Sequence, residues 1–265
     1  MLEMLAQRFF LGVGKYTPND GVSGDMGWKP PIARQWKSVL LYWSRLASMA
    51  AVRVNKRLAL WALSKSNQSC KNWMFIVKQF LSNHDLQMYN SLEQPLPSNV
   101  VSDIENVIVS EYVTKWTDRI NSVVGPSRRG SNKLRFYALF KTEYQPELYC
   151  KLILPPRHRA AFSKFRCGVA PIRIETGRYE GLKLDARLCP FCDNVESESH
   201  VLLHCPVYND LKEPLFWSAV SNNREFLTLC DTDKCIFLFS NPNLIRTCAK
   251  TCFTILQRRQ FLICK

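Results

Sequence analysis

Acidic residues are scarce in this 265-residue sequence, and long apolar runs are absent. The nearest approach to a membrane span, SVLLYWSRLASMAAV, is interrupted by Arg45 and is shorter than the run of about 18 apolar residues that a transmembrane helix needs. The first residues, MLEMLAQRFF, combine an acidic Glu3 with a very short apolar stretch, which is not the pattern of a secretory signal. We therefore expect an intracellular protein, nuclear or cytoplasmic, without a membrane partner.

The common catalytic signatures are also missing. The sequence contains neither H-E-x-x-H nor G-x-S-x-G, and GVGK (residues 12–15) does not fit the phosphate-loop pattern, because Tyr16 follows the lysine. A nuclease would need clustered carboxylates beside a lysine. Two groups have that composition, and surface charge explains them more simply: Asp210 with Lys212, and Asp231 and Asp233 with Lys234. We expect no enzymatic activity and no small-molecule substrate.

Positive charge is in excess. The chain has 36 lysines and arginines against 22 acids, a formal net charge of +14, and a pI near 9.4. No acid occurs between Asp25 and Asp85, where the cations are Lys29, Arg34, Lys37, Arg45, Arg53, Lys56, Arg57, Lys65, Lys71 and Lys78. Such an imbalance indicates a polyanionic partner, RNA or DNA, because each neutralised phosphate releases condensed counterions.

Tryptophans are interleaved with these cations, namely Trp28, Trp36, Trp43, Trp61 and Trp73. The combination could follow a phosphate backbone and stack on bases. For the tryptophans themselves the pattern favours a helical core, since large aromatic side chains are mostly buried. For the cations it favours nucleic acid, because an ordinary solvated face mixes both signs of charge.

Eleven cysteines could indicate disulfides, but the number is odd and no export signal is present, so we expect reduced thiols. Within LCPFCDNVESESHVLLHCP (residues 188–206), four residues have the spacing C-x2-C-x7-H-x4-C: Cys189, Cys192, His200 and Cys205. Two thiolates on one tight turn, completed by a histidine and a cysteine from the next element, form the tetrahedral donor set that zinc prefers. Four protein donors leave no position for water, which predicts a structural zinc site.

Local signals agree with a zinc site. Asn194 can cap a short helix that carries His200, and Pro206 would end that helix directly after the last cysteine. Glu196 and Glu198 are favourable in its first turn, where the helix dipole attracts negative charge.

Three alternatives remain open for these cysteines and histidines. His204 lies one helical turn after His200 and could replace Cys205 as the fourth ligand. CPFC alone could be a redox dithiol, although the polar stretch before it does not read as the buried strand that such a motif needs. Cys248 and Cys252 share a helix face and could join a second metal site, although no histidine is near them in the sequence.

The zinc segment resembles the reverse-transcriptase zinc-binding motif near the C-terminus of LINE-type (non-LTR) retrotransposon polyproteins. There, CP-x-C, an acidic stretch, H-x-L-L and a final C-P occur in the same order. Residues 164–182 resemble the basic segment before that motif, and residues 8–28 resemble the region after the polymerase core. The resemblance implies a part that holds template RNA or target DNA near the polymerase domain of the parent polyprotein. The chain has no Asp-Asp pair, so the Tyr-x-Asp-Asp box of the polymerase is missing.

The predicted fold is mainly α, a bundle-like N-terminal part and a helical C-terminal part with one small structural zinc site. Apolar spacing and proline positions predict helices near 2–10, 31–48, 52–64, 70–82, 99–124, 156–166, 208–220 and 243–264. In the helix 99–124 the predicted buried stripe is Ile104, Val107, Ile108, Tyr112, Trp116, Ile120 and Val124. The predicted divisions are an N-terminal arm (1–27), a basic Trp-rich helical region (28–124), a linker (125–132) and a basic region containing the zinc motif (133–265).

We therefore predict a zinc-stabilised nucleic-acid-binding module, or a remnant of one, without a polymerase site. The residues predicted to bind nucleic acid are Arg128, Arg129, Lys133, Arg135, Arg157, Arg159, Lys164, Arg166, Arg173 and Arg178. The alternative is a zinc-stapled protein-interaction domain whose basic faces bind an acidic partner.

Overall fold

The chain is mainly helical in the computed structural model, which describes residues 2–66, 71–122 and 133–264. Within these ranges one isolated antiparallel bridge, Leu188 to Val195, is present and no β-strand forms. The α-helices are α1 (Leu2–Leu11), α2 (Asn19–Met26), α3 (Pro31–Ser48), α4 (Val54–Ser64), α5 (Trp73–Asn83), α6 (Ser98–Asn121), α7 (Leu148–Lys151), α8 (Pro156–Arg166), α9 (Arg173–Tyr179), α10 (Asn209–Asn222), α11 (Asp231–Ser240) and α12 (Ile245–Ile263). The prediction of a mainly α fold is confirmed.

Helix α2 was not predicted, because its sequence NDGVSGDM contains two glycines and little apolar periodicity. Tertiary packing explains the helix. At Gly24 an added Cβ would lie 2.4 Å from the Tyr137 hydroxyl and 2.6 Å from the Trp116 ring. The small residue therefore lets α2 approach both aromatic rings closely.

The chain divides into two compact units, and the larger contains residues 1–28 and 115–265. In this unit α8 and α10 both pack against α12. Fully buried side chains fill the space between them, among them Phe162, Phe165, Leu215, Cys252 and Ile255. Residues 1–27, predicted to be an arm, belong to this unit, and α1 packs against α2 and α8.

The smaller unit contains residues 29–114 and is built from α3, α4, α5 and the first part of α6. Trp43 is fully buried there, and its Nε1 donates a hydrogen bond of 2.9 Å to the Tyr89 carbonyl. Trp36 stacks on Phe80 with ring centroids 3.6 Å apart. Trp61, in contrast, is exposed. The tryptophans of this region therefore do not all belong to the core.

The predicted stripe of α6 is only partly buried. Ile104, Trp116 and Ile120 are buried, whereas Val107 is 45% exposed. The predicted stripe was therefore too broad, because apolar spacing alone does not fix which positions of a helix are covered by its neighbours. The predicted position 124 and the predicted linker 125–132 lie outside the described residues.

No helix in the described part of the chain has both the length and the apolar character to cross a membrane.

Candidate metal centre

The four predicted zinc ligands lie together in the larger unit. The donor atoms of Cys189, Cys192, His200 and Cys205 are all within 4.8 Å of one another. The Cys205 sulfur is 3.9 Å from that of Cys189 and 4.0 Å from that of Cys192, and the Cys192 sulfur is 3.2 Å from His200 Nε2. In tetrahedral zinc, bond lengths near 2.3 and 2.0 Å separate donor atoms by about 3.6–3.8 Å. The cluster therefore has the size of a closed four-donor site.

The first two donors stand on a tight turn. The Cys189 amide donates a hydrogen bond of 2.7 Å to the Asn194 carbonyl, and the Leu188–Val195 bridge closes the loop behind it. Asp193 has φ 55°, a left-handed conformation that Asp adopts more readily than most residues. Burial raises the pKa of the Cys189 thiol to about 12, and a hydrogen bond from the Phe191 amide acts in the opposite direction. A bound cation would favour the thiolate and offset the effect of burial.

The other two donors lie at the two ends of a π-helical turn: His200 begins the turn His200–His204, and Cys205 directly follows it. Its defining bond runs from the Cys205 amide to the His200 carbonyl, at 2.8 Å. In an α-helix a residue five positions later would point about 140° away. The wider π turn instead brings His200 and Cys205 to the same cluster. This explains how two donors separated by four residues can share one site.

Asn194 is not the cap of this turn. The Ser197 hydroxyl accepts a hydrogen bond of 3.1 Å from the His200 amide, and the Ser197 carbonyl accepts one from Val201. Asn194 is exposed and donates to the Cys192 carbonyl within the cysteine loop. A serine three residues before the histidine was the available sequence signal.

His204 does not belong to the cluster. Its ring is exposed, and Nε2 lies 2.6 Å from a carboxylate oxygen of Asp231 on α11. The Cys205 sulfur, and not the His204 ring, lies within 4.8 Å of the other three donor atoms. Cys205 is therefore the fourth donor of the cluster.

A buried lysine, Lys212 on α10, lies directly behind the cluster. Its ammonium donates hydrogen bonds of 2.9 Å to the Cys205 carbonyl and 3.2 Å to the Leu203 carbonyl. Burial lowers the pKa of Lys212, and the neighbouring Cys205 and Cys192 sulfurs act against that shift. Three thiolates and one divalent cation carry a net charge of −1, so an ammonium here is electrostatically favourable. The sequence contained no signal for this role.

Glu196 and Glu198 hold the metal loop against other elements rather than serving the dipole of a short helix. The buried Glu196 carboxylate pairs with Arg259 of α12 and accepts a hydrogen bond from the Arg173 amide at the start of α9. Glu198 pairs with Arg135, at 2.6 Å. These long-range partners could not be read from the local sequence.

The residues considered for a second metal site and for a nuclease site have other surroundings. Cys248 and Cys252 are fully buried in the core on α12, and no second group of metal donors occurs among the described residues. Asp233 accepts a hydrogen bond from the Cys230 thiol, and Asp210 pairs with Arg258. The two cysteines of CPFC, the candidate redox pair, are Cys189 and Cys192, and both belong to the four-donor cluster.

Arg166, predicted to bind nucleic acid, is buried in the core, which corrects that assignment. Its guanidinium makes two hydrogen bonds, of 3.0 and 2.9 Å, to the fully buried Asp25. Asp25 also accepts a bond of 2.6 Å from the Tyr149 hydroxyl, and Glu147 lies 3.2 Å from the guanidinium. The charge of Arg166 is compensated inside the protein, so it cannot reach a phosphate.

Other predicted cations also have partners. Arg159 donates to the Phe10 carbonyl and lies over the Phe10 ring. Four more pair with carboxylates: Lys133 and Arg178 with Glu175, Arg135 with Glu198, and Arg173 with Glu180. Arg157 and Lys164 form no ion pair with any described residue. Arg128 and Arg129 lie outside the described residues.

Comparison with known proteins identifies no relative of this chain. No protein-family model matches the sequence, and no curated protein or solved structure matches it significantly.

Proposed function

We propose that this protein is a nucleic-acid-binding module stabilised by one structural zinc ion. The observation that carries the proposal is the closed cluster of Cys189, Cys192, His200 and Cys205 within a chain of net charge +14. Four protein donors suit a metal that organises the fold and leave no open position for substrate. An excess of cations suits a polyanion, because phosphate contacts release counterions.

Zinc is the metal that fits this donor set best. Three sulfurs and one imidazole nitrogen are soft and borderline ligands, which magnesium and calcium do not favour. The bound ion would tie the cysteine loop to the π turn and, through Glu196, to α9 and α12. Metal binding would in this way stabilise the surfaces of the larger unit.

The origin we propose follows from the resemblance of the zinc segment and its flanking residues to LINE-type reverse transcriptases. In that interpretation the chain corresponds to the region after the polymerase core, and its role is to hold RNA or DNA for a polymerase domain. The proposal assigns no catalytic residue to this chain.

A salt titration tests the function. Zinc-loaded protein should bind RNA and DNA oligomers, with a log–log slope of about −0.7 per neutralised phosphate on single strands and about −0.9 on duplex. Zinc content measured on the same preparation should be one ion per chain. Absence of binding at low salt, with zinc in place, would contradict nucleic-acid binding and favour an acidic protein partner.

A further inference from the structure

A groove of about 520 Å³ runs between α8 and α12 in the larger unit. Arg157 and Lys164 line it from α8, and Phe253, Leu256, Gln257 and Gln260 line it from α12. Among the described residues, no acidic side chain lines the groove. The third cation of the lining, Arg259, is engaged with Glu196. The groove therefore combines an apolar floor with a rim that carries uncompensated positive charge.

The two cations at the rim are aligned along α8. Arg157 and Lys164 are seven residues apart, which is close to two full turns, so they project from the same side of the helix. Their separation along the axis is about 10.5 Å. Two positive charges in line at one edge suit an extended chain of phosphates better than a single small anion.

The floor contains one aromatic ring, that of Phe253. The Arg157 guanidinium lies over this ring, 5.1 Å from its centroid, and the His158 ring is 5.1 Å away. An aromatic ring and a guanidinium plane are both surfaces on which a base can stack. Gln257 and Gln260 are exposed beside it, and within the described residues neither side-chain amide forms a hydrogen bond. A glutamine amide has both donors and acceptors, which match the edge of a nucleobase.

We propose that this groove binds single-stranded nucleic acid, with a base on the Phe253–Leu256 floor and the adjoining phosphates on Arg157 and Lys164. The inference rests on the proposed function and specifies its ligand. A duplex is a poorer fit, because its base faces are already stacked and are not available to the floor. An acidic peptide could use the two cations, but its carboxylate side chains offer no ring to stack on the floor.

The decisive variant removes the aromatic ring of the floor without changing charge. Phe253→Leu keeps an apolar side chain there, and Phe261→Leu is the matched control, because Phe261 is exposed on the same helix and does not line the groove. Phe253→Leu should weaken binding of a single-stranded oligomer roughly 5- to 150-fold, the effect of losing one stacking contact. Phe261→Leu should leave it within about twofold of wild type.

A second pair of variants distinguishes binding at this groove from a general effect of net charge. Arg157→Glu with Lys164→Glu should weaken single-strand binding much more than Lys183→Glu with Arg224→Glu, which removes the same net charge from exposed positions elsewhere in the unit. The oligomer in which abasic sites replace the bases should bind more weakly to wild type. With Phe253→Leu the two oligomers should bind nearly alike, because the stacking contact is already lost.

The possible results distinguish the two proposals. If wild type binds nucleic acid but Phe253→Leu behaves like Phe261→Leu, or abasic and normal oligomers bind equally, the groove assignment is wrong and the proposed function stands. If wild type binds no oligomer at low salt, both proposals fail. If polyglutamate binds and Arg157→Glu with Lys164→Glu abolishes that binding while oligomer binding is unaffected, the groove belongs to an acidic protein.

Discussion

The guanidinium of Arg259 on α12 donates two hydrogen bonds, each 2.7 Å long, to the carboxylate of Glu196 in the metal loop. Glu196 is fully buried and lies four residues before the ligand His200. The same carboxylate accepts the amide of Arg173, so one side chain joins the metal loop to two helices. Because Arg259 also lines the groove between α8 and α12, the metal loop and that groove share a wall.

Removal of the Glu196 charge should therefore destabilise the larger unit. Glu196→Gln leaves Arg259 as an uncompensated buried charge, which typically costs about 3–5 kcal/mol. Urea unfolding of the zinc-loaded protein measures it. Adding Arg259→Met to Glu196→Gln should recover much of the loss, because the unpaired charge is then gone. Equal stability of Glu196→Gln and wild type would contradict this account of the loop.

The metal ligands should be distinguishable from their neighbour His204. Cys189→Ser and Cys205→Ser should lose zinc and the ordered loop, since metal binding to such sites supplies on the order of 10–16 kcal/mol in isolated peptides. His204→Ala should keep its zinc, because that ring is exposed and faces Asp231. Elemental analysis of each purified variant decides the assignment. Zinc lost from His204→Ala and kept by Cys205→Ser would reverse it.

Chelation should destabilise the larger unit and leave the smaller unit unchanged. Removing zinc leaves the thiols of Cys189 and Cys205 buried, with pKa values raised by burial. It also removes the ion that would join the four donors of the loop and the π turn. We expect hydrogen exchange to accelerate in residues 187–208 and in α9, while the core around Trp43 keeps its protection. Uniform acceleration in both units would show that the metal supports the whole chain.

Arg166 should matter for folding and not for binding. Arg166→Leu leaves the buried Asp25 carboxylate without its partner, which should cost about 3–5 kcal/mol. The control Arg119→Leu breaks the surface pair with Asp20 and should cost less than about 1 kcal/mol. At a temperature where Arg166→Leu is folded, its salt slope for nucleic acid should equal that of wild type, and a shallower slope would place Arg166 at the interface.

Acid should weaken the smaller unit through Glu105. Hydrogen bonds from Lys37 and then Lys29 lower the pKa of this carboxyl in the folded state. The stabilisation is complete above the unfolded pKa of about 4.3 and is lost as pH falls through the lower folded value. The stability difference between wild type and Glu105→Gln should therefore shrink below about pH 4. Glu93→Gln, at an exposed position of the same unit, is the matched control for the substitution itself.

Several features were predictable because they depend on neighbours in sequence. The helix at 31–48 follows from Pro30 and Pro31 at its start, and it is observed at Pro31–Ser48. The four metal donors lie within 17 residues, so a loop and one turn bring them together. Helix α2 was missed because its local propensity is poor and its packing against Trp116 depends on a residue 92 positions after Gly24.

The sequence by itself determined the helical class, the donor set of the metal centre and the excess of positive charge, because composition, periodicity and short spacings are local properties. Only the tertiary structure decided which cations are paired with carboxylates inside the protein and which are not. Arg166 and Asp25 are separated by 141 residues, and Arg259 and Glu196 by 63. A cation's role is set by whether folding brings a carboxylate to it, and the pairing leaves Arg157 and Lys164 at the groove while Arg166 and Arg259 serve the interior.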